Sequence, residues 1–111
     1  MLDQSMLDQL RRDVGEEMFP LIMSQFTAEI RDKTERLEQA HAQADLAELA
    51  ELAHSLKSST RTVGLSHLGE QANEIEAGAR AGDANTLDLA PGFVAQCREG
   101  ARQLDLLSQA Q

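Results

Sequence analysis

The sequence predicts an all-α fold, and two observations carry that prediction. Strong helix formers dominate the 111 residues, while β-branched residues are scarce. The hydrophobic fraction of 41% is enough for a core, but with three Phe and no Trp or Tyr that core must be built from Leu, Ala, Ile, Val and Met. This length suits one compact domain over residues 1–111.

Two amphipathic helices are predicted in the first part of the chain. The first spans residues 2–14 and ends at Gly15, and the second begins at Glu16 and runs to about residue 42. Pro20 is tolerated in a first turn because the N–H groups there have no helical partner. The second helix also has a highly charged side, which we interpret as a solvated face. Its members are Glu29, Arg31, Asp32, Lys33, Glu35, Arg36 and Glu38.

A third helix is predicted over residues 45–63. Asp45 suits its N-cap, and Gly64 suits the residue that ends it. Apolar or small residues recur at alternating spacings of three and four, which places them on one side of a helix. They are Leu46, Leu49, Ala53, Leu56, Thr60 and Val63.

Two further helices complete the chain. Ser66 is expected to cap the fourth, a turn follows at 81–83, and the fifth is expected to start near Thr86 with Pro91 early in it. The apolar stripe of the fourth helix is Leu65, Leu68, Ala72, Ile75 and Ala79. The stripe of the fifth is Leu87, Ala90, Phe93 or Val94, Cys97, Ala101, Leu104 and Leu107.

The short connections between these segments predict the topology. Successive helices joined by few residues must run antiparallel, so the four long helices are expected to form an up-down-up-down four-helix bundle. The short first helix is expected to cover one end of it.

Charge and cysteine content exclude several classes of function. The net charge of −9 opposes binding to nucleic acid or to an anionic membrane surface, since both need clustered cations. No apolar stretch approaches the roughly 18 residues of a membrane span, and no signal peptide is visible at the start. A single cysteine, Cys97, rules out an internal disulfide and fits a reducing, cytoplasmic setting.

Motifs for metal, nucleotide or hydrolytic chemistry are missing from the sequence. The three histidines form no His-x-x-x-His or Glu-x-x-His pair on a core face, and there is neither a phosphate-binding glycine loop nor a nucleophile elbow. We therefore expect no metal, no cofactor and no kinase activity of its own.

His54 is the candidate reactive residue. It lies about 100° round the third helix from the apolar stripe, and Lys57, Ser58 and Arg61 follow at three, four and seven residues on the same side. No Asp or Glu occurs between Glu51 and Glu70, so this face favours an anion or an acidic partner. An imidazole beside a cation can accept a phosphoryl group, although these features also fit a plain surface histidine.

The sequence around His54 resembles the signature of histidine-containing phosphotransfer (HPt) domains. The matching residues are Ala53, His54, Ser55, Leu56, Lys57, Ser58 and Ser59, followed by Val63, Gly64, Leu65 and Leu68. The resemblance implies that His54 takes a phosphoryl group from an aspartate of one response-regulator receiver domain and passes it to another. It also implies a stand-alone, monomeric phosphorelay protein that works with a hybrid sensor kinase, with Mg²⁺ supplied by the receiver.

The resemblance also implies roles for individual residues. Lys57 would screen the phosphoryl charge, and Gly64 would allow the turn into the fourth helix. Ser58 departs from the family pattern, in which glycine is usual, but its small side chain still allows a receiver to approach. Supporting roles around the histidine fall to Ser58, Arg61, Gly64 and Gln71, and the fourth-helix candidates for orienting the imidazole are Gln71, Asn73 and Glu76.

Two other classes of protein remain open at this point. A sensor-kinase dimerisation module also presents a histidine on a bundle helix, but the typical His-Glu-x-x-x-Pro pattern is replaced here by Ser55 and Ser59. The second class is a non-catalytic helical adaptor, in which His54 has no chemical role. For a phosphotransfer protein, we expect an exposed apolar fringe on the first helix and at the start of the third to contact the receiver.

Overall fold

The structure is a computed structural model that describes residues 2–109. Within that range there are no strands, and the predicted all-α fold is confirmed. A 3₁₀ turn over Ala84–Asp88 precedes the last helix. The helices are α1 (Gln4–Val14), α2 (Phe19–Ala42), α3 (Leu46–Thr62), α4 (Ser66–Arg80) and α5 (Ala90–Gln109).

The four long helices form the predicted bundle, which measures 43 × 20 × 19 Å. Helix α3 packs between α2 and α4, and α5 closes the bundle against α2, while α1 contacts α2 and α3 at one end. Within residues 2–109, no helix is both long enough and apolar enough to cross a membrane.

The core contains most of the stripes predicted on α3, α4 and α5, together with apolar residues of α1 and α2. Its largest fully buried side chains are contributed by all four long helices, and burying one Leu or Ile stabilises the fold by about 1.5–3 kcal/mol. They include Met23, Ile30, Leu37, Leu49, Leu56, Ile75 and Leu104. The buried side of α3 therefore fixes which of its residues face outward, and His54 is one of them.

Three predicted helix starts are wrong. Helix α2 begins at Phe19 rather than Glu16, because the chain turns at Gly15 and Pro20 fits at the second helical position, where its missing N–H costs nothing. Helix α5 begins at Ala90 rather than near Thr86, whose side chain is buried in the 3₁₀ turn. Ser66 does not cap α4: it is the first helical residue, and its hydroxyl lies 3.4 Å from the Asp3 carboxylate.

The connections that border α3 are as predicted. Asp45 caps the helix by accepting a hydrogen bond from the backbone N–H of Glu48 at 3.1 Å. Gly64 ends it with φ 85°, a backbone conformation that favours glycine. The Gly64 carbonyl accepts a hydrogen bond from the Asp3 N–H at 2.7 Å, which ties the start of α1 to this turn.

Candidate functional site

His54 projects outward from the middle of α3. Its neighbours Ala53 and Leu56 are fully buried, whereas 62% of the His54 side chain is exposed. Burial of the adjacent residues prevents the helix from rotating, so the imidazole is presented to an approaching molecule on a rigid element.

Glu76 of α4 contacts the imidazole. Its Oε2 lies 2.8 Å from Nδ1 of His54. An ionised carboxylate can only accept a hydrogen bond, so Nδ1 must carry the proton and Nε2 of the neutral ring keeps its lone pair. The contact therefore selects the tautomer whose free nitrogen points away from Glu76. Of the three candidates for orienting His54, Glu76 is the one in contact.

Glu76 remains ionised because several donors surround it. Its side chain is only 11% exposed, and its oxygens lie 2.7 Å from Lys57 Nζ and 3.0 Å from Arg80 Nη2. The hydrogen bond from Lys57, helped by Arg80 and His54 and opposed by burial, lowers the pKa of Glu76 to about 2. The carboxylate is therefore fully charged at neutral pH.

Lys57 lies beside His54 as expected but is not a free cation. Besides Glu76, its Nζ lies 3.3 Å from Oδ1 of Asn73. Asn73 thus contacts Lys57 rather than the imidazole. Arg80, which sequence reasoning did not single out, binds Oε2 of Glu76 and also pairs with Glu51 at 3.2 Å. The sequence could have indicated this pair, because Arg80 follows Glu76 by four residues on the same helix.

A second polar network lies on the α2 side of His54. Lys33 donates to Glu29 at 2.5 Å and to the Ser55 hydroxyl, and Ser59 donates to Glu29 at 3.1 Å. The hydrogen bond from Lys33 lowers the pKa of Glu29. Assigning Glu29 and Lys33 to a solvated face was therefore wrong, since they bridge α2 and α3 through Ser55 and Ser59.

The remaining candidate residues occupy different places. The hydroxyl of Ser58 is exposed and makes no hydrogen bond to His54 within the described residues, and Arg61 is exposed further along α3. Gln71 does not contact His54: it faces another part of the surface, where its Nε2 lies 3.3 Å from Nε2 of His67. Glu76, and not Gln71, contacts His54 because residues 73, 76 and 80 share the side of α4 that faces α3.

Exposed apolar side chains lie elsewhere than expected. Met18 and Leu21, at the start of α2, are 45% and 51% exposed. The apolar residues of α1 and Leu46 at the start of α3 are buried or half-buried against the core. In residues 2–109, no group of three His, Cys, Asp or Glu side chains is placed to hold a metal ion.

This arrangement defines a class of protein: a helical bundle that presents an exposed histidine, in contact with a carboxylate, from the middle of one helix. Residues 21–110 match the family model of the Hpt domain, and the chain belongs to that family. Histidine phosphotransfer in two-component signalling is therefore its biochemical class. The family assignment favours this class over a kinase dimerisation module or a passive adaptor.

Similar proteins agree with this assignment. The phosphorelay protein LuxU of Vibrio cholerae is 31% identical over 88 residues, which cover 79% of this chain and 78% of that protein. The sensor histidine kinase AruS of Pseudomonas aeruginosa is 35% identical over 75 residues, or 68% of this chain but only 8% of the kinase. The crystal structure of histidine-containing phosphotransfer protein B from Pseudomonas aeruginosa superposes with a TM-score of 0.83 at 25% identity, over 98% of this chain and 91% of that one.

Proposed function

We propose that His54 accepts a phosphoryl group from the phosphorylated aspartate of a receiver domain and passes it to the aspartate of a response regulator. The observation that carries the proposal is the 2.8 Å contact between Nδ1 of His54 and Glu76, which leaves Nε2 as the nucleophile. The exposure of the ring on α3 supports direct access by a receiver.

The transfer step balances without any further reactant. The Nε2 lone pair attacks phosphorus, an N–P bond forms, the P–O bond to the aspartate breaks, and the aspartate leaves as a carboxylate. Positive charge develops on the imidazole as the bond forms, and the ionised Glu76 beside Nδ1–H stabilises it. The reverse sequence delivers the phosphoryl group to the next aspartate.

Lys57 is proposed to stabilise the negative charge of the phosphoryl group. In the unphosphorylated protein its ammonium is paired with Glu76. Because Arg80 also holds Glu76, Lys57 can turn toward a phosphoryl group without leaving the carboxylate unpaired. The small side chain of Ser58, one turn after His54, leaves room for the partner.

The partners proposed are receiver domains, one of them in a hybrid sensor kinase. The relatives named as a phosphorelay protein and a sensor histidine kinase support this choice. Mg²⁺ would be supplied by the receiver, and the chain itself is proposed to need no cofactor. We further propose that it acts as a cytoplasmic monomer, and light scattering would test the monomeric state.

The direct test is phosphoryl transfer from a radiolabelled, phosphorylated receiver domain to the wild type and to His54→Gln. We expect label on the wild type only, lost in acid and retained in alkali, as for a phosphoramidate bond. Label retained by His54→Gln would place the acceptor elsewhere. An unlabelled wild type across a panel of receivers would contradict the proposed function.

A further inference from the structure

Arg61 differs from every other lysine and arginine in residues 2–109. Each of the others has an acidic partner or, for Arg12, a hydrogen bond to Gln9. Arg61 is exposed and has neither. In a chain of net charge −9, an arginine without a partner is a cation left available to another molecule.

The stem of Arg61 lies directly against Gly69 of α4. A Cβ atom at residue 69 would lie 2.5 Å from Cγ and 2.9 Å from Nε of Arg61. Gly69 is buried within a helix, where glycine is less favourable than alanine and where no turn requires it. The glycine therefore provides the space in which the arginine lies against α4.

The surroundings of Arg61 contain little competing negative charge. The chain has no acidic residue between Glu51 and Glu70. Glu29 of α2 is already engaged by Lys33 and Ser59, and Glu70, which follows Gly69, forms no ion pair with Arg61 in the described residues. An incoming carboxylate would thus meet a guanidinium whose donors are free.

Arg61 lies too far from His54 to take part in the phosphoryl transfer itself. Seven residues after His54, it lies on the same side of α3 about 10 Å further along the axis. Its stem crosses toward Gly69 rather than toward His54. The guanidinium therefore lies at the edge of the area that a partner must cover to reach His54.

We propose that Arg61, packed against Gly69, binds a carboxylate on the receiver surface that surrounds the phosphorylated aspartate, at the edge of the contact area. This inference rests on the proposed function. The carboxylates that coordinate the receiver's Mg²⁺ are occupied by the metal, so the partner of Arg61 is a different carboxylate, on the receiver surface that covers the acid-free face of α3. The planar guanidinium matches a carboxylate with two parallel hydrogen bonds, which fixes orientation as well as charge.

The test compares Arg61→Gln with Arg102→Gln, which removes the same charge from an exposed residue of α5. The second-order rate constant of transfer is measured with a phosphorylated receiver that labels the wild type, at low and high salt. Direct labelling by potassium phosphoramidate, taken as the label that His54→Gln lacks, reports the reactivity of His54 without a partner. Circular dichroism checks that each variant is folded. Gly69→Ala fills the space against which Arg61 lies and so tests the position of the arginine without changing its charge.

We expect Arg61→Gln and Gly69→Ala to lower the transfer rate constant roughly fivefold at low salt, with the difference from wild type shrinking at high salt. Phosphoramidate labelling should be unchanged, and Arg102→Gln should behave as wild type. Three results would overturn this inference and leave the proposed function intact. Arg61→Gln could transfer as fast as the wild type, Arg61→Gln and Arg102→Gln could lose the same rate, or Arg61→Gln could lose as much phosphoramidate labelling as receiver-dependent transfer. A wild type that no receiver labels would overturn the proposed function as well.

Discussion

The Glu76 carboxylate lies 2.8 Å from Nδ1 of His54 and is itself held by Lys57 and Arg80. One buried acid thus fixes the orientation of the imidazole and keeps a lysine next to it. Each of these contacts can be removed separately, and each removal should have its own effect.

Replacing Glu76 should slow phosphoryl transfer without removing the acceptor. In Glu76→Ala the ring loses the acceptor for Nδ1–H, and we expect a rate about 10- to 100-fold lower in single-turnover transfer. Glu76→Gln, whose amide oxygen can still accept that hydrogen bond but carries no charge, should have a rate between those of Glu76→Ala and the wild type. Glu74→Ala, at an exposed position of α4, is the control. Equal rates for Glu76→Ala and Glu74→Ala would show that the contact does not matter for transfer.

Replacing Lys57, which lies beside His54, and replacing Lys33, which is bound to the adjacent Ser55, should have different effects on transfer. Lys57→Gln removes the cation proposed to stabilise the phosphoryl group, and we expect transfer to fall about tenfold. Lys33→Gln removes a lysine bound to Glu29 and Ser55, so it should change the stability of the α2–α3 contact but leave transfer within about twofold. Rapid-quench kinetics on both variants measures the difference, and the reverse order would reassign the role to Lys33.

Gly64 should be needed for two reasons: its own backbone conformation favours glycine, and α1 lies too close to it for a side chain. Its φ is 85°, and a Cβ there would lie 2.8 Å from the Asp3 carbonyl oxygen. Gly82 has φ 72° but nothing within 4 Å of such a Cβ. We expect Gly82→Ala to cost about 1 kcal/mol and Gly64→Ala about 2–3 kcal/mol in urea unfolding. Equal losses of stability in the two variants would mean that α1 can shift away from residue 64 at little cost.

Stability should fall at acid pH partly through Glu76. Because the pKa of Glu76 is about 2 in the folded protein and its ordinary value is 4.5, ionised Glu76 stabilises the fold above pH 4.5. This contribution is lost as the pH falls from 4.5 toward 2. Urea unfolding followed across that range should therefore have a shallower pH dependence in Glu76→Gln than in wild type. A parallel curve for the two proteins would contradict the folded-state pKa.

The sequence was sufficient for the all-α fold and for the exposed position of His54, because the spacing within each helix identifies its buried side. The stripes on α3, α4 and α5 identify the buried sides, and His54 lies outside them. The relations between helices were not accessible in the same way. Nothing in the spacing says that Glu76 rather than Gln71 faces His54, since this depends on how α4 rotates against α3.

The polar network on α2 was missed for a related reason. Glu29 and Lys33 belong to a densely charged helix surface, and only packing against α3 distinguishes them from their solvated neighbours. The late starts of α2 and α5 have a local cause, since Pro20 and Pro91 each occupy the second position of their helix. Proline therefore marked both starts more accurately than the acidic or polar residues before it.

The most direct test of the central claim is to determine which ring nitrogen carries phosphorus. Phosphorus-coupled ¹⁵N NMR of the protein, labelled by a phosphorylated receiver, distinguishes Nε2 from Nδ1 and identifies the histidine. We predict phosphorus on Nε2 of His54, with Nδ1–H still donating a hydrogen bond to Glu76. Phosphorus on Nδ1, or on His41 or His67, would contradict that claim.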